Sequence, residues 1–129
     1  MDASILNYKV NDNVGDFLSK EKKLYIAGKW VDPNSGKSFD VEDPATGKKI
    51  ASCSAGNGKD IDLAVKAARK AFDSGVWTDM SNSEKGKIIW KIGDLIDKHC
   101  EELAQLESLD NGKPVAIAGA ADVPPVSYT

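Results

Sequence analysis

The first candidate for chemistry is a glycine-rich turn, Gly56-Asn57-Gly58, which stands between a predicted strand and a predicted helix. Dinucleotide phosphates are bound in this setting when three spaced glycines let the backbone approach the phosphate at a helix N-terminus. Here the third glycine position holds Ile61, and Asp60 and Asp62 would bring two carboxylates close to the phosphate. The sequence therefore favours an ordinary strand-to-helix turn, and we predict no cofactor-binding residue in it.

The second candidate is the pair His99-Cys100. A cysteine becomes a strong nucleophile when a histidine ring accepts its proton. Neighbouring residues on a helix point about 100° apart, so these two side chains do not face each other. We therefore expect His99 at a helix end and Cys100 on or beside an apolar stripe, and we predict no catalytic residue. Cys53 and Cys100 are expected to be thiols, although one disulfide between them is the alternative.

A metal site finds little support in the residue spacing. One histidine and two separated cysteines give neither a C-x-x-C nor an H-x-x-x-H pattern, which argues against zinc. Four carboxylates lie close together near the end of the last long helical pattern: Glu101, Glu102, Glu107 and Asp110. We interpret them as a solvated helix face, with a site for a hard cation as the alternative.

Composition limits the classes of function. The chain has 129 residues, a formal net charge of −3 and Arg69 as its single arginine. Nucleic-acid binding needs clustered positive charge, so we predict no nucleic-acid partner. No apolar run approaches the ~20 residues that cross a bilayer, and we predict a cytoplasmic protein without a membrane partner.

Residues 1–23 are expected to form a polar leader that packs lightly, with Val14, Phe17 and Leu18 on one face of a short helix.

Short strands are predicted between residues 24 and 55. Residues 24–26 and 29–31 flank Ala27-Gly28, which is the spacing of a two-residue hairpin with Gly28 at a positive φ. Residues 38–42 alternate apolar and polar side chains, and a further strand follows at 49–54 with Ile50 facing inward.

Amphipathic helices are predicted after the strands. The helix 60–74 should begin at Asp60 as its N-cap and end at Gly75. Its apolar residues recur at helical spacing and predict a buried stripe: Ile61, Ala64, Val65, Ala68, Ala71 and Phe72.

A second helix should open at Ser81, because Ser81 and Glu84 form the S-x-x-E pattern of a capping box. Its predicted buried stripe consists of Ile88, Ile89, Ile92, Leu95 and Ile96, and a further stripe consists of Leu103, Leu106 and Leu109. Residues 83–110 fit one long helix or two, and Glu101 and Glu102 slightly favour two. The helical pattern stops at Asn111-Gly112.

A last helical piece is predicted over residues 115–121, and Pro124-Pro125 should end any helix. The whole pattern consists of short antiparallel strands followed by amphipathic helices. Such apolar stripes need a partner surface, yet no segment of the chain has the all-apolar pattern of a buried parallel strand.

Four stretches of the chain resemble the aldehyde dehydrogenase superfamily. Residues 24–31 (LYIAGKWV) resemble its opening hairpin, and residues 43–48 (DPATGK) its following turn. Residues 64–72 (AVKAARKAF) are similar to its first helix, and residues 106–114 (LESLDNGKP) to its Glu-x-Leu-Asp-Asn-Gly-Lys-Pro signature. The four stretches occur in the family's order.

The resemblance implies an α/β fold in which residues 24–124 form the N-terminal part of a Rossmann-type cofactor-binding domain. It further implies an oxidoreductase that oxidises an aldehyde to a carboxylic acid with NAD or NADP and forms a homo-oligomer. The family's nucleophilic cysteine, glutamate base and cofactor-phosphate residues lie beyond the matched region. We therefore expect an N-terminal fragment that is inactive alone, with residues 125–129 as a divergent tail.

The resemblance also implies a structural monovalent cation, held by Asp110 and by backbone carbonyls near Val41 and Glu42. The alternative role for Asp110 is to help terminate its helix. For the chain as a whole, the alternative to an enzyme fragment is a self-contained, non-enzymatic helical interaction module that uses the same apolar stripes. A third, weaker interpretation is a dinucleotide-binding domain acting through Gly56-Asn57-Gly58.

Overall fold

The computed structural model describes residues 9–128, in which one short helix precedes four strands and a series of helices. In chain order the elements are α1 (Asp12–Ser19), β1 (Leu24–Ile26), β2 (Lys29–Val31), β3 (Ser38–Asp43), β4 (Lys48–Ser54), α2 (Gly58–Asp73), α3 (Asn82–Lys98), α4 (Cys100–Asn111), α5 (Val115–Ile117), a π-helical segment (Ala118–Asp122) and α6 (Val123–Tyr128). The predicted order of strands and helices is confirmed.

The four strands form two separate antiparallel pairs. β1 pairs with β2 across a two-residue turn in which Ala27 and Gly28 both have a positive φ, of 53° and 78°. Both central residues of a type I′ hairpin turn have this conformation, so the hairpin prediction is confirmed. β3 pairs with β4, and the register shifts between Val41 and Glu42.

Helix α2 begins earlier than the sequence predicted. Asn57 is its N-cap, and the Asn57 side chain accepts hydrogen bonds from the backbone N–H groups of Lys59 and Asp60. The prediction of Asp60 as N-cap is wrong, because Asp60 is the third helical residue and closes a capping box from inside the helix. Asn57, three positions before Asp60, is itself a favoured N-cap residue.

Residues 83–110 belong to two helices. The break falls at His99, which ends α3 and precedes α4, and the favoured alternative is confirmed. The capping box between Ser81 and Glu84 opens α3 as predicted. Gly112 ends α4 in the left-handed conformation, with φ 79°, so the predicted stop at Asn111-Gly112 is also confirmed.

The prediction that Pro124-Pro125 ends any helix is wrong. Both prolines lie inside α6, which follows the π-helical segment directly. The Val123 N–H donates to the Ala118 carbonyl, five residues back, so the helix changes its hydrogen-bond register immediately before the prolines. Proline is tolerated in the first turn of a helix because its missing N–H has no partner to lose there.

Two small clusters of buried side chains form the core. The first consists of Val14, Leu18, Ile50, Ala51 and Leu109, and the second of Ala104, Ala118 and Val123. Helix α4 contributes to both clusters and therefore joins them.

The first cluster corrects the prediction that the leader packs lightly for residues 9–23, while residues 1–8 of the leader lie outside the described residues. Val14 and Leu18 of α1 are among the most buried residues, and the backbone around Lys22 bridges to β4. The leader was misjudged because its polar residues outnumber the two apolar side chains that anchor it.

The apolar stripes of α2 and α3 remain largely exposed. We call Ile61, Val65 and Phe72 the α2 face, and Ile88, Ile89, Ile92 and Leu95 the α3 face; every one of these side chains is classed as exposed. The predicted burial of the α2 stripe and of the α3 stripe is therefore wrong for these residues within the described part of the chain, because no described element covers the two faces. Both faces have the apolar surface that a helix normally packs against a neighbouring layer.

Candidate functional site

An apolar cavity of about 660 Å³ lies between α1, β4 and the C-terminal helices. Its apolar lining consists of Phe17, Leu18, Val41, Ile50, Ala51, Ile96, Leu103, Leu106, Leu109, Val123 and Val126. Five polar or reactive side chains also reach it: Lys22, Cys53, Glu107, Asp110 and Asp122. Because a cavity of this size with a few polar groups is the usual form of a binding site, it is the candidate site.

Lys22 lies at the wall formed by α1 and β4. Its backbone N–H donates to the Ser52 carbonyl (2.9 Å), and the Lys22 carbonyl accepts from the Ser54 N–H (2.8 Å). Its ammonium group donates to the carbonyls of Phe17 and Lys20, and burial lowers its pKa. The ammonium group therefore caps the end of α1 rather than reaching toward a catalytic partner.

The opposite wall carries an ion pair at the end of α4. The Lys113 ammonium group lies 2.5 Å from a carboxylate oxygen of Asp122, and this hydrogen bond raises the pKa of Lys113. The Ser108 hydroxyl donates to the Lys113 carbonyl (2.5 Å). The pair links the loop after α4 to the π-helical segment and so fixes the Asp122 side of the cavity.

Asp110 and Val41 both line the cavity. The Asp110 side chain is exposed and makes no hydrogen bond or ion pair with the described residues 9–128. Gly112 ends α4, and Asn111 accepts the hydrogen bond from the Lys113 N–H (2.8 Å). Asp110 therefore takes no part in the helix cap. The cation site at Asp110 stays a prediction.

Within residues 9–128, the structure shows no group of three or more histidine, cysteine or acidic side chains arranged to hold a metal ion. The same part of the chain contains no helix that is long and apolar enough to cross a membrane.

The two side-chain acceptors at the glycine-rich turn, on Asp60 and Asn57, are occupied by backbone N–H groups. The Asp60 carboxylate is buried and accepts from the backbone N–H groups of Asn34 (3.0 Å) and Asn57 (2.9 Å). The Asn57 side chain accepts from two of the first N–H groups of α2. A carboxylate and an amide thus occupy the helix N-terminus that a phosphate would need, in agreement with an ordinary turn.

His99 and Cys100 do not form a pair. The His99 ring lies 3.3 Å from the Glu102 carboxylate, whereas the Cys100 thiol lies 3.7 Å from the Gly119 carbonyl and packs against the second core cluster. The predicted directions of the two side chains are confirmed. Cys53 and Cys100 are free thiols.

Sequence reasoning missed most of the polar residues at the cavity. Lys22, Cys53 and Asp122 come from distant parts of the chain, and no spacing rule connects them. The one sequence signal for the cavity was the repeated pattern of apolar residues in α4, because Leu103, Leu106 and Leu109 line it.

The fold and the site together define a class: an α/β chain of short antiparallel strands and helices, with exposed apolar faces on α2 and α3. The aldehyde dehydrogenase family model matches residues 30–128. The chain belongs to the aldehyde dehydrogenase family, as the resemblance implied.

Individual relatives agree with this assignment. The chain is 46% identical over 121 residues to a putative aldehyde dehydrogenase, DhaS, of Bacillus subtilis, covering 94% of this chain and 24% of the relative. It is 48% identical over 102 residues to the mitochondrial aldehyde dehydrogenase family 2 member B4 of Arabidopsis thaliana, and the match covers 79% of this chain and 19% of that relative.

Solved structures agree as well. The NAD⁺ complex of the Bacillus cereus aldehyde dehydrogenase has a TM-score of 0.86 at 45% identity, covering 92% of this chain and 24% of that one. Betaine aldehyde dehydrogenase of Staphylococcus aureus with NAD⁺ has a TM-score of 0.79 at 34% identity, covering 84% and 22%. The predicted fold class is confirmed, and the chain spans about a quarter of the length of these relatives. The division at residues 24 and 125 stays a prediction.

Proposed function

We propose that this chain forms the first part of the cofactor-binding domain of an NAD(P)-dependent aldehyde dehydrogenase, which oxidises an aldehyde to a carboxylic acid. The observation that carries the proposal is the structural match to the NAD⁺-bound Bacillus cereus enzyme over 92% of this chain and 24% of that enzyme. The bound nicotinamide would accept a hydride from the aldehyde. Residues 9–128 would contribute packing and supply no nucleophile or base.

The exposed apolar faces support this proposal over the self-contained interaction module. The α2 face and the α3 face lie on different helices, and each has the apolar surface of an internal layer. A complete domain buries most such surface, since burial of apolar area is the main stabilising term in folding. The faces are therefore expected to pack against further parts of a larger enzyme.

The remaining features of the proposed enzyme follow from the family resemblance. They are a Rossmann-type domain, NAD or NADP as the cofactor, a homo-oligomer, and a structural monovalent cation held by Asp110. A cytoplasmic location is proposed separately, because the sequence has no apolar run of the ~20 residues that cross a bilayer. The acidic net charge of −3 supports the further proposal that nucleic acid is not a partner.

An activity assay on the purified chain tests the proposal that the chain lacks catalytic residues. Incubation with NAD⁺ or NADP⁺ and a broad panel of aldehydes should produce no absorbance of the reduced nicotinamide. A rate that disappears in Cys53→Ser or Cys100→Ser would show that one of these thiols is a nucleophile and would contradict the proposal. Cys53→Ser is the more informative of the two variants, because Cys53 lines the cavity and Cys100 does not.

A further inference from the structure

Two Asn-Gly dipeptides occur in the chain, Asn57-Gly58 and Asn111-Gly112. The first lies at the N-terminus of α2 and the second at the C-terminus of α4. Asparagine before glycine undergoes a spontaneous reaction with water as the only co-reactant. The glycine nitrogen attacks the asparagine Cγ, the N–Cγ bond forms, the Cγ–Nδ2 bond breaks, and ammonia leaves with the proton of the glycine nitrogen. Water then opens the succinimide ring to give aspartate or isoaspartate.

We propose that Asn57 is a deamidation site of this protein, whereas the folded structure protects Asn111. The attacking nitrogen is the first difference. Gly58 is the first residue of α2, where an N–H has no partner within the helix, and it makes no hydrogen bond with the described residues. The Gly112 N–H instead donates to the Ser108 carbonyl (2.9 Å), so that bond must break before Gly112 can attack.

The carbonyl under attack is the second difference. The Asn57 Oδ1 accepts hydrogen bonds from the N–H groups of Lys59 (2.9 Å) and Asp60 (3.4 Å) at the positive end of the α2 dipole. Negative charge develops on this oxygen when the nitrogen adds to Cγ, and backbone donors stabilise such an oxyanion. The Asn111 Oδ1 accepts from the Lys113 N–H alone, at the negative end of α4.

The departing amine is the third difference. The Asn111 Nδ2 donates to the Glu107 carboxylate (2.5 Å), which holds the amide in place. The Asn57 Nδ2 makes no hydrogen bond with residues 9–128, and neighbouring Gly58 is exposed with open space around its α-carbon. Water can therefore reach the dipeptide, and no neighbouring side chain occupies the space beside Gly58.

The product would change the start of α2. Aspartate at position 57 keeps an acceptor for the helix N–H groups but brings a second carboxylate close to the buried Asp60. Isoaspartate adds a methylene group to the main chain at the N-cap and moves the side-chain acceptor away from its donors. Deamidation would therefore loosen the capping box that joins β4 to α2.

Tryptic mass spectrometry of the full chain separates the two sites. Residues 50–59 form a peptide in which Asn57 is the only asparagine, and the peptide that begins at His99 contains only Asn111. During incubation of the folded chain at mildly alkaline pH, Asn57 should deamidate roughly tenfold faster than Asn111, given that preorganised oxyanion donors accelerate related acyl reactions by more than this. In concentrated urea the two rates should converge, because both dipeptides then lack structure.

A matched variant tests the protection of Asn111. Glu107 is exposed, and Glu107→Ala should speed deamidation at Asn111 while leaving the rate at Asn57 unchanged. The proposal would be overturned if folded Asn111 reacts as fast as Asn57. It would also be overturned if the difference persists in urea, or if Glu107→Ala leaves Asn111 as slow as before.

Discussion

Gly93 of α3 lies directly against the backbone carbonyl of Ser127 in α6, so closely that a methyl group at position 93 would overlap the Ser127 oxygen. Gly93 is the one residue of the described α3 that is fully buried. The contact between α6 and α3 involves main-chain atoms of Ser127. Main-chain atoms cannot move out of the way of an added side chain as a flexible side chain would. The absence of a side chain at Gly93 therefore sets the distance between these helices.

We predict that Gly93→Ala destabilises the chain by about 1–3 kcal/mol, the usual cost of forcing an extra carbon into a packed contact. Urea unfolding followed by circular dichroism measures the change. Gly86→Ala is the matched control, because Gly86 lies in the same helix with nothing near its α-carbon. The control should gain stability, by up to about 1 kcal/mol, from alanine's better helix propensity. Equal gains in both variants would contradict the contact.

The turn between β3 and β4 depends on a buried carboxylate. Asp43 is 2% exposed and accepts hydrogen bonds from the Ala45 N–H (2.9 Å) and the Thr46 hydroxyl (2.8 Å). Asp43→Ala should cost about 1–3 kcal/mol of unfolding free energy, because donors are left without an acceptor. Asp40→Ala on the same strand removes an ion pair with Lys49 and a hydrogen bond from the Ser52 hydroxyl (3.1 Å), and it should change stability little because both contacts are exposed. Thermal unfolding measures the stability of both variants, and equal losses of unfolding free energy in the two would refute the prediction.

The start of α3 should show a pH dependence. Hydrogen bonds from the Ser81 hydroxyl and N–H to the Glu84 carboxylate hold the pKa of Glu84 below its ordinary value of 4.5. A lowered pKa in the folded state stabilises the fold above pH 4.5, and this contribution is lost as the pH falls through the folded-state pKa. In Ser81→Ala the Glu84 pKa should rise toward 4.5 in an NMR titration. Ser83→Ala is the control, and an unchanged Glu84 pKa in Ser81→Ala would disprove the capping interaction.

The α3 face should bind a hydrophobic dye in the isolated chain. Ile89 and Ile92 are 60% and 53% exposed, and contiguous apolar surface of this kind takes up such probes. Ile89→Lys should lower the dye fluorescence by breaking the face. Lys87→Gln, a polar change on the same helix, should leave the fluorescence unchanged. Absence of dye binding by the unmodified chain would show that the face is covered.

Local signals were sufficient to predict most of the secondary structure. The hairpin at Ala27-Gly28, the capping box at Ser81 and the stop at Gly112 each depend on a few neighbouring residues, and all three occur in the structure. The errors involve longer-range effects. Leu18 is buried by contacts with β4 and α4, and the prolines of α6 are accommodated by the register change that begins at Ala118.

The candidate site was less accessible to sequence reasoning. Asp110 and Val41 were placed together only through the family resemblance, and both do line the cavity. Lys22 and Asp122 reach the cavity through tertiary packing, which a linear pattern does not encode. The failure of His99 and Cys100 to pair could be predicted, because it follows from helix geometry alone.

A chimeric enzyme tests the central claim most directly. In it, this chain replaces the matched segment of the Bacillus cereus aldehyde dehydrogenase, whose structure it resembles with a TM-score of 0.86. If the chain is the opening part of such an enzyme, the chimera should reduce NAD⁺ in the presence of an aldehyde, and a double change to lysine at Ile89 and Ile92 should abolish this activity. A soluble, folded chimera that does not reduce NAD⁺ would contradict the account.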